Sequence, residues 1–191
     1  MSFLAAIGRV TSSLRAGEET LILNQPAFAG VPTDIAVTSP AFKDGEPIPE
    51  RYTVSGEEIS PPLAWGNLPD GTREIVLIME DYDVPLPKPV VHLIVHGLSG
   101  ASKGLAEGAL PNPNSRGLDP IPRLGRNTLG FQRYEGPAAL PGHGLHHYVF
   151  EVFALGRTLD FKNPPNKHEI VAAMEAIVLG TGRLTGTFER S

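Results

Sequence analysis

Five of the chain's six histidines fall in two short patches. One reads Val90-Val91-His92-Leu93-Ile94-Val95-His96, the other His143-Gly144-Leu145-His146-His147-Tyr148-Val149-Phe150. Just upstream of the first stands Glu80-Asp81-Tyr82-Asp83-Val84-Pro85. Imidazoles and a tyrosine hydroxyl can donate hydrogen bonds to an anion. Carboxylates can orient the imidazoles and hold them protonated, or receive an ammonium group. A set of this kind can serve both signs of a zwitterion such as a phosphoethanolamine head group.

Both patches are rich in β-branched and aromatic residues and read as strands. Strict alternation puts His92, Ile94 and His96 on one face of the first, and His146, Tyr148 and Phe150 on one face of the second. If the two strands are near neighbours, His92 and His146 face one space. Asp81 and Asp83 point the same way from an extended segment that Pro85 ends. Protonated imidazoles there would make anion affinity rise as pH falls from about 8 to about 6. A metal site is an alternative, since His and Asp are good ligands, but His146 and His147 point to opposite faces and no His-Glu-x-x-His helix exists. A hydrolytic triad lacks its Gly-x-Ser-x-Gly elbow, and Ser115 and Arg116 lie in a long loop. For His96, His143, His147 and His168 the plain reading is a satisfied core or surface residue.

The strands that must position these groups are legible. Glu74 to Glu80 is a nearly continuous apolar run, expected to be covered on both faces. Val90–Leu98 and His146–Leu155 are two more strands, Asp34–Thr38 is a shorter one, and Leu21–Leu23 and Ile48–Val54 are weaker candidates. Arg183–Glu189 closes the chain as a strand. Lys167–Leu179 carries an apolar stripe at Ile170, Met174, Ile177 and Val178, with Asn166 as N-cap and Gly180 just past its end. Residues 99–145 are mostly loop, and a loop of that length is often functional. Trp65, after Pro61-Pro62, reads as core. Strands separated by loops with one late helix predict a mainly β protein, an antiparallel β-sandwich with peripheral helices.

Composition narrows the function classes. The chain has 191 residues, 41% hydrophobic and 19% charged, with a net charge of −5. That length buries roughly 70% of the unfolded surface in one domain. No lysine or arginine run offers a nucleic-acid footprint. With no cysteine, disulfides, thiolate catalysis and Cys-based zinc sites are excluded. Residues 1–17 lack acids and place Phe3, Leu4, Ile7, Val10 and Leu14 at helical spacing. That helix is expected to pack on the domain or on a second subunit, with a peripheral membrane anchor or transit peptide as alternatives. The expected organisation is an N-terminal amphipathic extension over 1–30 and one domain over 31–191. The expected compartment is the cytoplasm.

Between Ile35 and Glu189 the motifs resemble those of the phosphatidylethanolamine-binding proteins, in particular their bacterial and archaeal Raf-kinase-inhibitor-like branch. Ser39-Pro40-Ala41-Phe42 with Gly45, Ser60-Pro61-Pro62-Leu63-Ala64-Trp65 and Leu68-Pro69-Asp70-Gly71-Thr72 match that branch. The family's Asp-Pro-Asp-Ala-Pro signature stands here as Asp81-Tyr82-Asp83-Val84-Pro85, with His92 on the next strand. Its Gly-x-His-Arg-Tyr signature stands as Gly144-Leu145-His146-His147-Tyr148, after the rim residues Gly136-Pro137 and Pro141-Gly142-His143-Gly144. Tyr82, His147 and Ala138-Ala139-Leu140 depart from the pattern.

The resemblance implies an antiparallel sandwich and a small pocket for a phosphate group or phospholipid head group. Its site would be Asp81, Asp83, His92, Gly136, Pro137, Gly144, His146 and Tyr148, with no metal and no cofactor. It further implies a homodimer and, as a second reading, a modulator that docks on a kinase or protease; a third reading, from the His and Asp side chains themselves, is an isomerase or cyclase using them for proton transfer.

Overall fold

The computed structural model describes residues 3–114 and 123–190; Ser115 and Arg116 lie outside them. The order of elements is α1 (Phe3–Val10), β1 (Ala36–Thr38), β2 (Leu63–Gly66), β3 (Glu74–Asp81), β4 (Val90–Ser99), β5 (Gly104–Leu105), β6 (Arg123–Leu124), β7 (His146–Leu155), α2 (Lys167–Met174) and β8 (Val178–Phe188). A five-stranded sheet runs β6-β4-β3-β7-β8 and a three-stranded sheet β1-β2-β5, with every strand pair antiparallel.

The run Ile75–Met79 is central in the larger sheet and buried on both faces, as its unbroken apolar pattern requires. Ile75, Leu77 and Met79 join Val37, Leu63 and Trp65 in the core between the sheets. Val76 and Ile78 face the other way, onto α2 and the N-terminal residues Ile22 and Phe28. The Trp65 indole donates to the Ser102 carbonyl at 2.8 Å, which satisfies its buried N–H.

Several local expectations are overturned. Leu21–Leu23 is not a strand. It belongs to a run of 3-10 turns over Glu18–Thr20, Ile22–Asn24 and Pro26–Phe28. The amides of Ile22 and Leu23 donate to the buried carboxyls of Glu80 and Glu151 instead of to a ladder. Ile48–Val54 is not an edge strand either. Its centre is a 3-10 turn, Glu50–Tyr52, and its contact with β8 is an isolated bridge at Pro47, where the Ile48 amide donates to the Thr187 carbonyl.

Helix α2 begins as expected, with a capping box in which the Asn166 side chain accepts from the Glu169 amide and Glu169 accepts from the Asn166 amide. It ends at Met174, not at Leu179. Residues from Val178 onward pair with all of β7, and that ladder competes with further helix. Gly180 is therefore a strand residue, not a helix cap. A Cβ there would lie 2.8 Å from the Pro69 ring, so its bareness serves sheet-on-sheet packing.

Strict alternation also fails in β4. Leu93 pairs with Met79 and Val91 with Glu80, which leaves His92 as the extra residue of a β-bulge. His92 and Leu93 thus serve the inter-sheet side, while Val91 and Ile94 pack in the outer cluster. His96 also faces outward, its ring edge-on to Phe161 at 5.3 Å.

His96 is 3% exposed and its Nδ1 has no partner among the described residues. Burial, reinforced by Arg123, pushes its imidazole down to about 4. The unfolded chain takes up that proton near 6.5, so the neutral His96 leaves stability whole above about 6.5 and erodes it as pH falls toward about 4. Unfolding in urea should show a loss of about 1–2 kcal/mol from this residue between about pH 7.5 and about pH 5. His96→Leu should remove that share of the pH slope. An unchanged slope would show that His96 is not held neutral.

Candidate functional site

Because β3 runs antiparallel to both neighbours, its C-terminal end meets the first residues of β4 and β7. Asp81 is the direct partner of Tyr148 on one side and of Val90 on the other. The bulge then turns the His92 ring onto Tyr148, edge-on at 5.2 Å. The structure therefore gathers Asp81, His92, His146 and Tyr148 at one sheet end.

The carboxylate of Asp81 organises this group. Its Oδ2 accepts from His146 Nδ1 at 2.7 Å, and its Oδ1 accepts from the Asp83 amide at 2.9 Å. It also faces the Tyr148 hydroxyl, which accepts from the Ala138 amide at 3.1 Å. Burial first, and the charge of Asp81 second, raise the Tyr148 phenol far above its ordinary range, so it stays a hydroxyl. Gly136 and Pro137 lie on the neighbouring rim. The Pro137 carbonyl accepts from the Val54 amide, and a Cβ at Gly136 would come 2.8 Å from the Tyr52 carbonyl oxygen. Gly144 holds φ +105°, which a bare residue supplies without strain.

A polar chain continues from Asp81 away from the sheet. His143 Nδ1 is 2.9 Å from His146 Nε2, and Arg15 Nη1 is 3.0 Å from His143 Nε2. Arg15 can only donate and the Asp81 carboxylate only accepts. The direction is thereby fixed: Arg15 to His143 Nε2, His143 Nδ1–H to His146 Nε2, and His146 Nδ1–H to Asp81. Both imidazoles are neutral in this arrangement, and both ring nitrogens of each are occupied. Asp83 closes the network, accepting from Arg15 Nε at 2.9 Å and from the amide and Nδ1 of His147 at 2.7 and 2.8 Å.

For His92 the expectation that a nearby carboxylate holds the ring protonated is corrected. His92 Nδ1 lies 3.0 Å from the Glu135 carbonyl, to which it donates, leaving Nε2 as an acceptor. Its pKa is lowered, because burial outweighs the opposing pull of Asp81. His143 is lowered as well, by burial, Arg15 and His146 in that order. His92 therefore lends no support to a rise in anion affinity between about pH 8 and about pH 6.

His143 and Arg15 are the members that sequence reasoning missed. His143 sat in a quoted motif but was read as an ordinary rim residue. Nothing local links Arg15 to a carboxylate 68 positions away. Two departures from the signatures prove to be partners: the Tyr82 and His147 rings stack at 5.4 Å with 5° between planes. Among the described residues no group of three His, Asp or Glu is placed to hold a metal ion. No helix among them is long and apolar enough to cross a membrane.

Comparison with known proteins agrees with this architecture. A UPF0098 protein of Aquifex aeolicus is 33% identical over 172 residues, covering 90% of this chain and 98% of its own length. A putative lipoprotein of Mycobacterium tuberculosis, LppC, is 35% identical over 170 residues, covering 89% of this chain and 79% of its own length. Among solved structures, the phosphatidylethanolamine-binding protein homologue CT736 of Chlamydia trachomatis superposes with a TM-score of 0.72 at 34% identity, covering 82% of this chain and 98% of its own. The YbcL protein of Escherichia coli shares the fold at a TM-score of 0.74. The family model described as phosphatidylethanolamine-binding protein matches residues 38–189, which span every strand from β2 to β8 and all of the sheet-end cluster, and the chain belongs to that family.

Proposed function

We propose that the protein binds a small zwitterionic ligand, a phosphate ester carrying an ammonium group as in a phospholipid head group, at the sheet-end cluster. Asp81, Asp83, His92, His146 and Tyr148 supply the side chains, and Gly136, Pro137 and Gly144 shape the rim. The observation that carries this reading is the charge pattern. Two carboxylates stand in a cluster with His92 and His143, whose pKa values burial lowers. The cation that the described residues place there, Arg15, is engaged by Asp83 and His143. An ammonium finds Asp83, and a proton-bearing group finds His92 Nε2.

The test is titration calorimetry with O-phosphoethanolamine and, in parallel, with sulfate. The zwitterion is expected to bind more tightly than sulfate. His92→Ala should weaken it by about 1.5–3 kcal/mol, the value of a hydrogen bond to a charged group, and His168→Ala should leave it unchanged. Equal affinity for sulfate and the zwitterion, or equal effects of the two substitutions, contradicts the reading.

A further inference from the structure

The pocket side chains are shut from solvent: Asp81 is 2% exposed, His146 1% and Tyr148 0%. What covers this end of the sheet includes residues 3–17. We propose that this segment is a tethered competitor for the pocket, with Arg15 standing where a ligand's cation would stand, so that a ligand enters only by expelling it. The proposal rests on the reading of the cluster as a ligand site and adds how that site is regulated.

Arg15 behaves like a bound guest. Its guanidinium donates to the Asp83 carboxylate, to His143 Nε2 and to the His143 carbonyl. Its Nη1 also turns back to the carbonyls of Ser12 and Leu14, both at 2.8 Å. The chain on either side is strapped down. The amides of Ala16 and Gly17 donate to the carbonyls of Val84 and Tyr82, both at 3.1 Å, within the Asp81–Pro85 signature itself. Upstream, α1 seats on the rim loop through Gly8. A Cβ there would lie 2.1 Å from the Pro141 carbonyl oxygen and 2.9 Å from the His143 amide nitrogen, so only a bare residue lets the helix close.

The segment is built to let go. Phe3 is 78% exposed and Val10 84%, so the apolar residues of α1 do not anchor it to the domain. A helix of eight residues has little stability of its own. The closing contacts are polar and face Asp83, His143 and backbone carbonyls, which are the groups a zwitterion can satisfy in its place. The segment also precedes the family match, which begins at residue 38.

The experiment uses the full chain with Arg15→Ala and, separately, Gly8→Ala. Alanine favours helix more than glycine does, so the second variant keeps α1 helical and blocks only its seating. The first readout needs no ligand: carbethoxylation by diethyl pyrocarbonate of the intact protein, with each histidine followed by peptide mass spectrometry. His143 Nε2 is expected to react at least about tenfold faster in both variants than in wild type, with exposed His168 unchanged as the internal reference.

The second readout is O-phosphoethanolamine affinity, expected to rise about tenfold in both variants. Unmasking of His143 without binding in any form supports the cap and refutes the ligand reading. Equal labelling in all forms overturns the cap, and so does weaker binding in the variants, which would make the segment part of the site. Should Arg15→Ala fail to fold, Gly8→Ala, which removes no polar contact, carries the test alone.

Discussion

Asp81→Ala is expected to destabilise the protein by about 3–5 kcal/mol, the cost of leaving partners of a buried charged network unpaired. The carboxylate is 2% exposed and accepts from His146 Nδ1 and the Asp83 amide while facing the Tyr148 hydroxyl. Alanine removes every acceptor at once, and no water can replace them without opening the sheet end. The loss also propagates. His146 then has no group that fixes its Nδ1–H, so the ordered run from Arg15 through His143 loses its terminus. Asp81→Asn should cost less, because the amide oxygen still accepts one of these bonds. Urea unfolding of the three proteins checks this. A change below about 1 kcal/mol for the alanine variant would mean that the network contributes little.

The second large effect is expected on the opposite face of the same strand. Glu80 is fully buried and ion-paired with Lys167 of α2, and its other oxygen accepts from the Ile22 amide at 2.9 Å. Beside it Glu151 is also fully buried, and its carboxyl is raised well above the usual range by burial and then by the charge of Glu80. Burial therefore favours the protonated form of Glu151. Lys167→Met leaves one carboxylate without its cation and should cost about 3–5 kcal/mol. The double variant Glu80→Gln, Lys167→Met should recover most of that, because no buried charge remains and the Gln oxygen still accepts from Ile22. A single variant as stable as wild type, or a double variant no better than the single, would contradict the assignment.

How far the sequence discloses this molecule depends on whether the deciding interaction is local. The unbroken apolar run of β3 and the β-branched and aromatic content of β7 are properties of the segments themselves, and both strands lie where the pattern puts them. The capping box at Asn166 is equally local. The end of α2 is not. Residues 175–179 carry a fair helical pattern, and a ladder with β7, formed by residues more than twenty positions away, claims the chain at Val178. The bulge at His92 is another tertiary choice. Alternation alone groups His92 with Ile94 and His96, whereas one extra residue in the register turns His92 inward and leaves the other two outside.

The site divides in the same way. Asp81, His92, His146 and Tyr148 were legible because short motifs carry them to the ends of strong strands. Their charge states were not. Counting carboxylates near imidazoles suggests protonation, but burial depth decides the sign for His92, and burial is a property of the whole fold. Arg15 was invisible for a related reason. Its partners Asp83 and His143 come from segments 68 and 128 positions distant, and only the folded chain sets all three side by side.

The most direct measurement is nitrogen-15 NMR of the histidine side chains during titration with O-phosphoethanolamine, on wild type and on Gly8→Ala. Free His92 should show a protonated Nδ1 and a bare Nε2. With ligand, the Nε2 resonance should move toward the protonated position and saturate, at lower ligand concentration in Gly8→Ala, while His168 stays still. If His92 Nε2 is already protonated without ligand, or is unmoved in both proteins, the sheet-end cluster is not the zwitterion site described here.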